Sequence, residues 1–379
     1  MISLPSSGCF VGRVWRAGIG PCLVTLRGDR VIDITSGVAP TVSDLLEQAD
    51  IAGFVHAIQG EDIGSLADIA AVSVEPAGEV TRLLAPCDLQ AIKACGVTFA
   101  RSMVERVIEE RAGGDPTRAA DIRARIANAI GDSLRDLVPG SSKAAEVKAV
   151  LQAEGLWSQY LEVGIGPDAE VFTKAQPMSA VGWGASVGLH PVSKWNNPEP
   201  EVVLAVNSIG RIVGATLGND VNLRDVEGRS ALLLGKAKDN NAAASLGPFI
   251  RVFDDTFTLD SVRDMDLSLT VKGTDGFRLT GQSSMRQISR DPADLVAQTR
   301  GRHHQYPDGF MLYCGTMFSP VQDRDGPGQG FTHHIGDRVT IATPELGALV
   351  NTVRLSTEAP EWTFGARALM TNLAKRDLL

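Results

Sequence analysis

Apolar residues fall in short alternating runs near the start of the chain, shift to helical spacing in its middle third, and then return to strand-like runs. Between Gly12 and Pro76, Val14, Leu23, Val24, Val31 and Ile32 sit in brief stretches broken by Gly and Asp, the pattern of short strands, and 41–49 reads as one helix. From 101 to 160 the apolar spacing becomes three and four: Met103, Val107 and Ile108, then 119–137, then 144–156. Gly113, Gly114 and Pro139-Gly140 separate these stretches. After Trp157 the pattern predicts strands at 201–207, 212–217, 267–271, 310–313, 339–341 and 350–355. The expected class is α+β: a smaller N-terminal α/β domain over 1–84, a joint at Leu83-Leu84-Ala85-Pro86, and a β-rich main domain over 85–379 with a helical segment around 101–160. No internal repeat or coiled-coil heptad interrupts it.

Bulk properties narrow the partners. A length of 379 residues exceeds what one core usually supports, in keeping with two units. The net charge of -9, with no basic stripe, argues against a nucleic-acid surface, because phosphate binding needs clustered Lys and Arg. Five cysteines are scattered without a C-x-x-C pair, which predicts a reducing cytoplasm. No stretch reaches the roughly 18 apolar residues of a membrane span, so no membrane association is expected.

Candidate chemistry begins at Trp195-Asn-Asn-Pro-Glu199-Pro-Glu201-Val-Val-Leu, where two carboxylates flank Pro200 as a strand starts. Alternate strand positions face the same side, so Glu199 and Glu201 converge, and paired carboxylates repel unless a cation or a proton sits between them. Oxygen donors alone favour a hard cation, Mg²⁺ before Mn²⁺ or Ca²⁺. Taken by itself the pair reads more readily as a solvated strand start, since charged residues are usually exposed. Gly182-Trp-Gly184-Ala-Ser-Val-Gly188 lacks the spacing of a nucleotide loop, and His303-His304 and His333-His334 place neighbours on opposite sides of any strand, which does not suit chelation.

Further on come Gly218-Asn219-Asp220-Val-Asn-Leu-Arg224-Asp225 and then Lys238, nine residues ahead of Gly247-Pro248. Gly315-Thr316, Gly336-Asp337 and Gly347-x-x-x-Asn351 follow in order. With the E-x-E before them, these stretches resemble the fumarylacetoacetate hydrolase superfamily over roughly 83–373. The resemblance implies a mixed β-sandwich roll, metal ligation by Glu199, Glu201 and Asp220, and Lys238 reaching into the same site as a base. It also implies substrate contacts from Arg224 and Thr316, and a homodimer or larger homo-oligomer. The implied substrate is a small 2-oxo acid, whose carboxylate and keto oxygens chelate a metal that stabilises the enolate formed when a neighbouring proton leaves. Near a cation the charged form of Lys238 is expected to be disfavoured.

Gly96-Val-Thr98-Phe99-Ala-Arg-Ser102-Met-Val-Glu105 is similar to the family's G-x-N-Y-x-x-H-x-x-E signature at the start of a lid helix. Ser102 stands where hydrolases of the family carry a histidine that activates water, and a serine lacks a basic nitrogen. Glu105 remains as a candidate acid, and Phe99 and Ser102 are placed on the substrate side. Trp157-Ser-Gln-Tyr160, Asp239-Asn-Asn and Gly330-Phe-Thr-His333 resemble bacterial 2-keto-3-deoxypentonate dehydratases of pentose catabolism, such as those acting on 2-keto-3-deoxy-D-xylonate or -arabinonate. That implies loss of water to give 2,5-dioxopentanoate. The alternatives are a C–C hydrolase of a 2,4-dioxo acid and an oxaloacetate-type decarboxylase.

Overall fold

A computed structural model of the chain describes residues 2–119, 121, 122, 137–153, 155 and 157–379. The helical stretch expected over 119–137 lies largely outside them. Among the described residues, the larger of two sheets holds eleven strands. Along the chain these are β1 (Phe10–Arg16), β2 (Gly20–Arg27), β3 (Arg30–Asp33), β4 (Glu61–Ser65), β5 (Arg82–Leu84), β6 (Ala91–Gly96), β7 (Glu170–Ala175), β9 (Asn197–Val206), β10 (Ile212–Asn222), β11 (Ala244–Val252) and β14 (Phe310–Tyr313). Their spatial order is β4-β3-β2-β1-β11-β10-β9-β14-β6-β7, with β5 on β1. The second sheet runs β13 (Arg278–Ser284), β12 (Asp266–Lys272), β15 (Arg338–Thr343), β16 (Gly347–Leu355), β8 (Ser186–Leu189). Pairing is antiparallel except for β14 with β6 and β16 with β8.

All six strands predicted from the sequence are present, most of them extended by a few residues at one end or both. The extension matters at β9, which starts at Asn197 and so takes Glu199 and Glu201 into the strand itself. Every residue of β9 is buried because both faces of the sheet are covered. Val202, Leu204 and Val206 join Leu269 and Ile341 of the second sheet in one core, while Val203 and Ala205 join Leu45 and Val55 of two short N-terminal helices in another. Those helices, Val42–Leu46 and Ile51–Ala57, replace the single helix expected at 41–49; the Asp50 side chain accepts from Gly53 N at 2.9 Å and starts the second one. The strands of the N-terminal segment extend the larger sheet, Val11 of β1 pairing with Ile250 of β11.

A third apolar cluster lies under the helix Ala100–Ala112, whose Met103 and Val107 pack with Tyr160, Leu161 and Ile165 of the helix Gln159–Ile165. Gly113 ends the first of these helices at φ 64, a left-handed conformation that costs glycine nothing. Among the described residues no helix is long and apolar enough to cross a membrane, and the five cysteines are buried and unpaired.

Candidate active site

Strand register brings the acidic side chains together. Asp220 on β10 lies directly opposite Glu199 on β9, and Gly218 lies opposite Glu201. Positions two apart on a strand share a face, so the three carboxyls leave the sheet on one side. Their oxygens lie within 4.8 Å of one another and all three residues are buried. Gly218 must be small, since a Cβ there would stand 2.3 Å from the Tyr313 ring, whose hydroxyl donates to the Ser245 carbonyl at 2.7 Å.

Cationic side chains meet this face from three elements. Lys238, at the end of the helix Leu234–Lys238, donates from Nζ to Glu199 and, at 3.1 Å, to Asp220 Oδ2. Lys174 of β7, wholly buried, places Nζ 2.9 Å from Asp220 Oδ1 and also donates to the Lys238 carbonyl, which ties that helix to the acidic strands. Arg106, from the helix Ala100–Ala112, pairs with Glu199 and lies 2.7 Å from both Glu109 and Glu227.

These groups set each other's protonation. Burial raises the Glu199 carboxyl, but Lys238 and Arg106 outweigh it and bring it down to about 2. At Glu201, burial together with Asp220 and Glu199 outweighs the pull of Lys238 and pushes the carboxyl well above the carboxylate range. Burial likewise drives Glu227 up to about 7, against the pull of Arg106 and Lys238, and raises Glu170. For Lys238, burial opposes the charge, yet Asp220, Glu199 and Glu227 hold the ammonium protonated above its ordinary range. That reverses the direction expected from a neighbouring cation, because the three carboxylates outweigh both burial and Arg106.

The cavity among these groups holds about 10 Å³, room for about one water. Ser102 and Thr316 line it, the serine donating to the Phe99 carbonyl at 2.9 Å and the threonine to Glu201 at 3.4 Å. Gly315 N completes the Glu201 contacts at 2.6 Å. Three other expected residues stand behind the lining. Phe99 is buried in the core shared by the two sheets. Arg224 donates to Glu109 at 2.7 Å, the Pro320 carbonyl at 3.0 Å and Glu105 at 3.3 Å, and its guanidinium stacks 4.4 Å from the Trp195 ring. Glu105 meets the site through that arginine. Conversely, Arg106, Glu170, Phe172 and Glu227 line the cavity without having been singled out from the sequence. A strand at 170–175, with Glu170 and Lys174 on one face, is the signal that would have found two of the missed residues. Away from the cavity, Gly281 packs against the Phe318 ring and His333 points Nδ1 at Asp337, 3.0 Å away.

The donor set suits a hard divalent cation: three buried carboxyl side chains offering oxygen ligands only, with Glu201 hydrogen-bonded by Gly315 N and Thr316. Comparison with known proteins agrees with this architecture. Residues 166–354 match the family model "Fumarylacetoacetate (FAA) hydrolase C-terminal". A "Probable 2-keto-3-deoxyxylonate dehydratase" of Haloferax volcanii is 30% identical over 194 residues, 51% of this chain and 63% of that protein. A 2-dehydro-3-deoxy-D-arabinonate dehydratase of Saccharolobus solfataricus is 28% identical over 185 residues, 49% and 58% of the two chains. The matched stretch thus spans about three-fifths of each relative's length. Among solved structures, 2-keto-3-deoxy-D-arabinonate dehydratase in its apo form superposes with a TM-score of 0.62 at 18% identity, covering 91% of this chain and 99% of the other. The same enzyme complexed with magnesium and 2,5-dioxopentanoate gives 0.61 at 19%, with the same coverage, and these likenesses establish the fold. Residues 166–354 therefore form a domain of the fumarylacetoacetate hydrolase family.

Proposed function

We propose that the protein is a divalent-cation-dependent hydro-lyase, with Mg²⁺ the first choice of metal, that converts a 2-keto-3-deoxypentonate to 2,5-dioxopentanoate. The observation that carries this reading is the meeting of Glu199, Glu201 and Asp220 with Lys238 at a cavity where Ser102, not a histidine, faces the site. A hydrolytic route needs a base for water, and serine supplies none. The names of the two relatives and the ligands of the solved complex point to the same chemistry.

A cation held by Glu199, Glu201 and Asp220 would stabilise negative charge on the keto oxygen and take over the carboxylate charge that otherwise keeps Lys238 protonated. Lys238 then removes the C3 proton. The C4 hydroxyl departs as water after accepting a proton from a buried acid. Glu170, on the cavity wall with its carboxyl raised by burial, is placed for that step, while Glu105 sits one residue further back on Arg224. Tautomerisation of the unsaturated product through C5 gives the aldehyde. Thr316 and Ser102 contact the substrate; Arg224 supports the site through Glu109, which joins it to Arg106. The reading includes a cytoplasmic location and a homo-oligomeric assembly, the latter checked by light scattering.

Incubation with 2-keto-3-deoxy-D-xylonate or -arabinonate and Mg²⁺ is expected to yield an aldehyde proton in the NMR spectrum and none after chelation of the metal. Inertness toward both, together with pyruvate release from a 2,4-dioxo acid, would overturn dehydration in favour of C–C hydrolysis.

A further inference from the structure

Arg106 is fully enclosed and faces three carboxylates through two nitrogens with separate tasks. Nη1 lies 2.7 Å from both Glu109, one helical turn along, and Glu227, on the neighbouring helix Arg224–Glu227; Nη2 is given to Glu199. The first pair of acceptors anchors the arginine to the protein. The third belongs to the triad that fits a cation. A divalent ion held there competes for the Glu199 carboxylate and repels the guanidinium, and with Glu199 engaged Nη2 becomes a buried charged donor at the cavity wall in need of another acceptor. Leaving such a donor unpaired is costly, so the cavity acquires a demand for an anion only once the cation has arrived.

We infer that Arg106 is the anion receptor of this site, masked by Glu199 in the empty cavity and unmasked by cation binding, with an anionic oxygen of the ligand taking the place of Glu199 on Nη2. Arg224 does not compete for that role, because its guanidinium is already engaged by Glu109, Glu105 and the Pro320 carbonyl and does not line the cavity. The inference rests on the cation-dependent 2-oxo acid reading above and adds to it a binding order, metal before acid, and the residue that selects for negative charge. A planar guanidinium also selects for a carboxylate over a hydroxyl, which a lysine ammonium does less well.

Calorimetric titration with oxalate, a non-reacting dianionic probe, tests this on the full chain with free Mg²⁺ held in constant excess. Wild type is expected to bind oxalate with Mg²⁺ and not without it. R106Q is expected to bind Mg²⁺ as tightly as wild type or tighter, its internal competitor having been removed, and to lose at least about tenfold in oxalate affinity. R106K keeps the charge where the neutral variant fails to fold, and is expected to keep Mg²⁺ affinity while losing several-fold for oxalate. Oxalate affinity equal to wild type in the folded variants overturns the inference alone, as does a fall in Mg²⁺ affinity parallel to that for oxalate, which would make Arg106 a mere shaper of the site. Failure of the wild type to take up Mg²⁺ overturns the proposed function along with it.

Discussion

Lys238 shows how much one side chain's role depends on its neighbours. Its ammonium lies between Glu199 and Asp220 and is held charged by them, so it serves as a base only when those carboxylates are otherwise engaged. K238M is expected to retain Mg²⁺ binding by calorimetry while losing turnover by about a hundredfold or more, the usual contribution of a positioned general base; full activity in that variant would remove the assignment. Single residues were legible in the sequence in proportion to how local their signal is. Glu199 and Glu201 stand in a short acidic pattern where a strand begins, and a period of two states that they share a face, whereas Asp220 joined them only through the family resemblance. Arg106 reads in sequence as one more charge in Glu105-Arg-Val-Ile-Glu109-Glu110-Arg. What makes it a site residue is its meeting with Glu199 and Glu227, across 93 and 121 positions of chain, and no local pattern announces that.

At the level of elements, the pairing of β6 with β7 sets the cavity wall. Gly96 lies opposite Glu170, and a Cβ on Gly96 would stand 1.8 Å from Glu170 Oε2, so the glycine exists to let that carboxyl lie across the strand. The obstacle is the free end of a flexible side chain, which can swing away at little cost to folding. G96A is therefore expected to shift the thermal midpoint by only a few degrees, while kcat falls about tenfold or more because the acid is displaced. Unchanged kcat would argue that Glu170 plays no part in proton transfer. Strands with clear alternation or buried runs were anticipated, and the site strands β9 and β10 among them; β4 to β8, β11 and β13 were not. β7 carries Phe172 and Thr173 where a polar face would have marked a period, and β11 contains Gly247-Pro248, which reads as a turn.

For the whole molecule, residues 1–84 bear on how the larger sheet is completed. The sequence proposes them as a domain of their own; in the fold, β1 pairs with β11, and Val11 and Leu23 share a core with Val203 and Leu246. Removal of 2–84 uncovers that edge and that core, so the 85–379 fragment is expected to be insoluble or to melt well below the full chain, as read by sedimentation and thermal unfolding. A soluble fragment with one sharp transition would instead support two separable domains. The α+β class was foreseeable because it rests on element types and order, and the sandwich roll followed from the family resemblance, whereas the route by which N-terminal strands reach β11 depends on pairings more than two hundred residues apart. The tightness of the cavity has a kinetic corollary. A space of about 10 Å³ takes a water rather than a five-carbon acid, so the proposed substrate requires the lining to move apart, and its uptake is expected to run slower than collision, as read by stopped-flow binding.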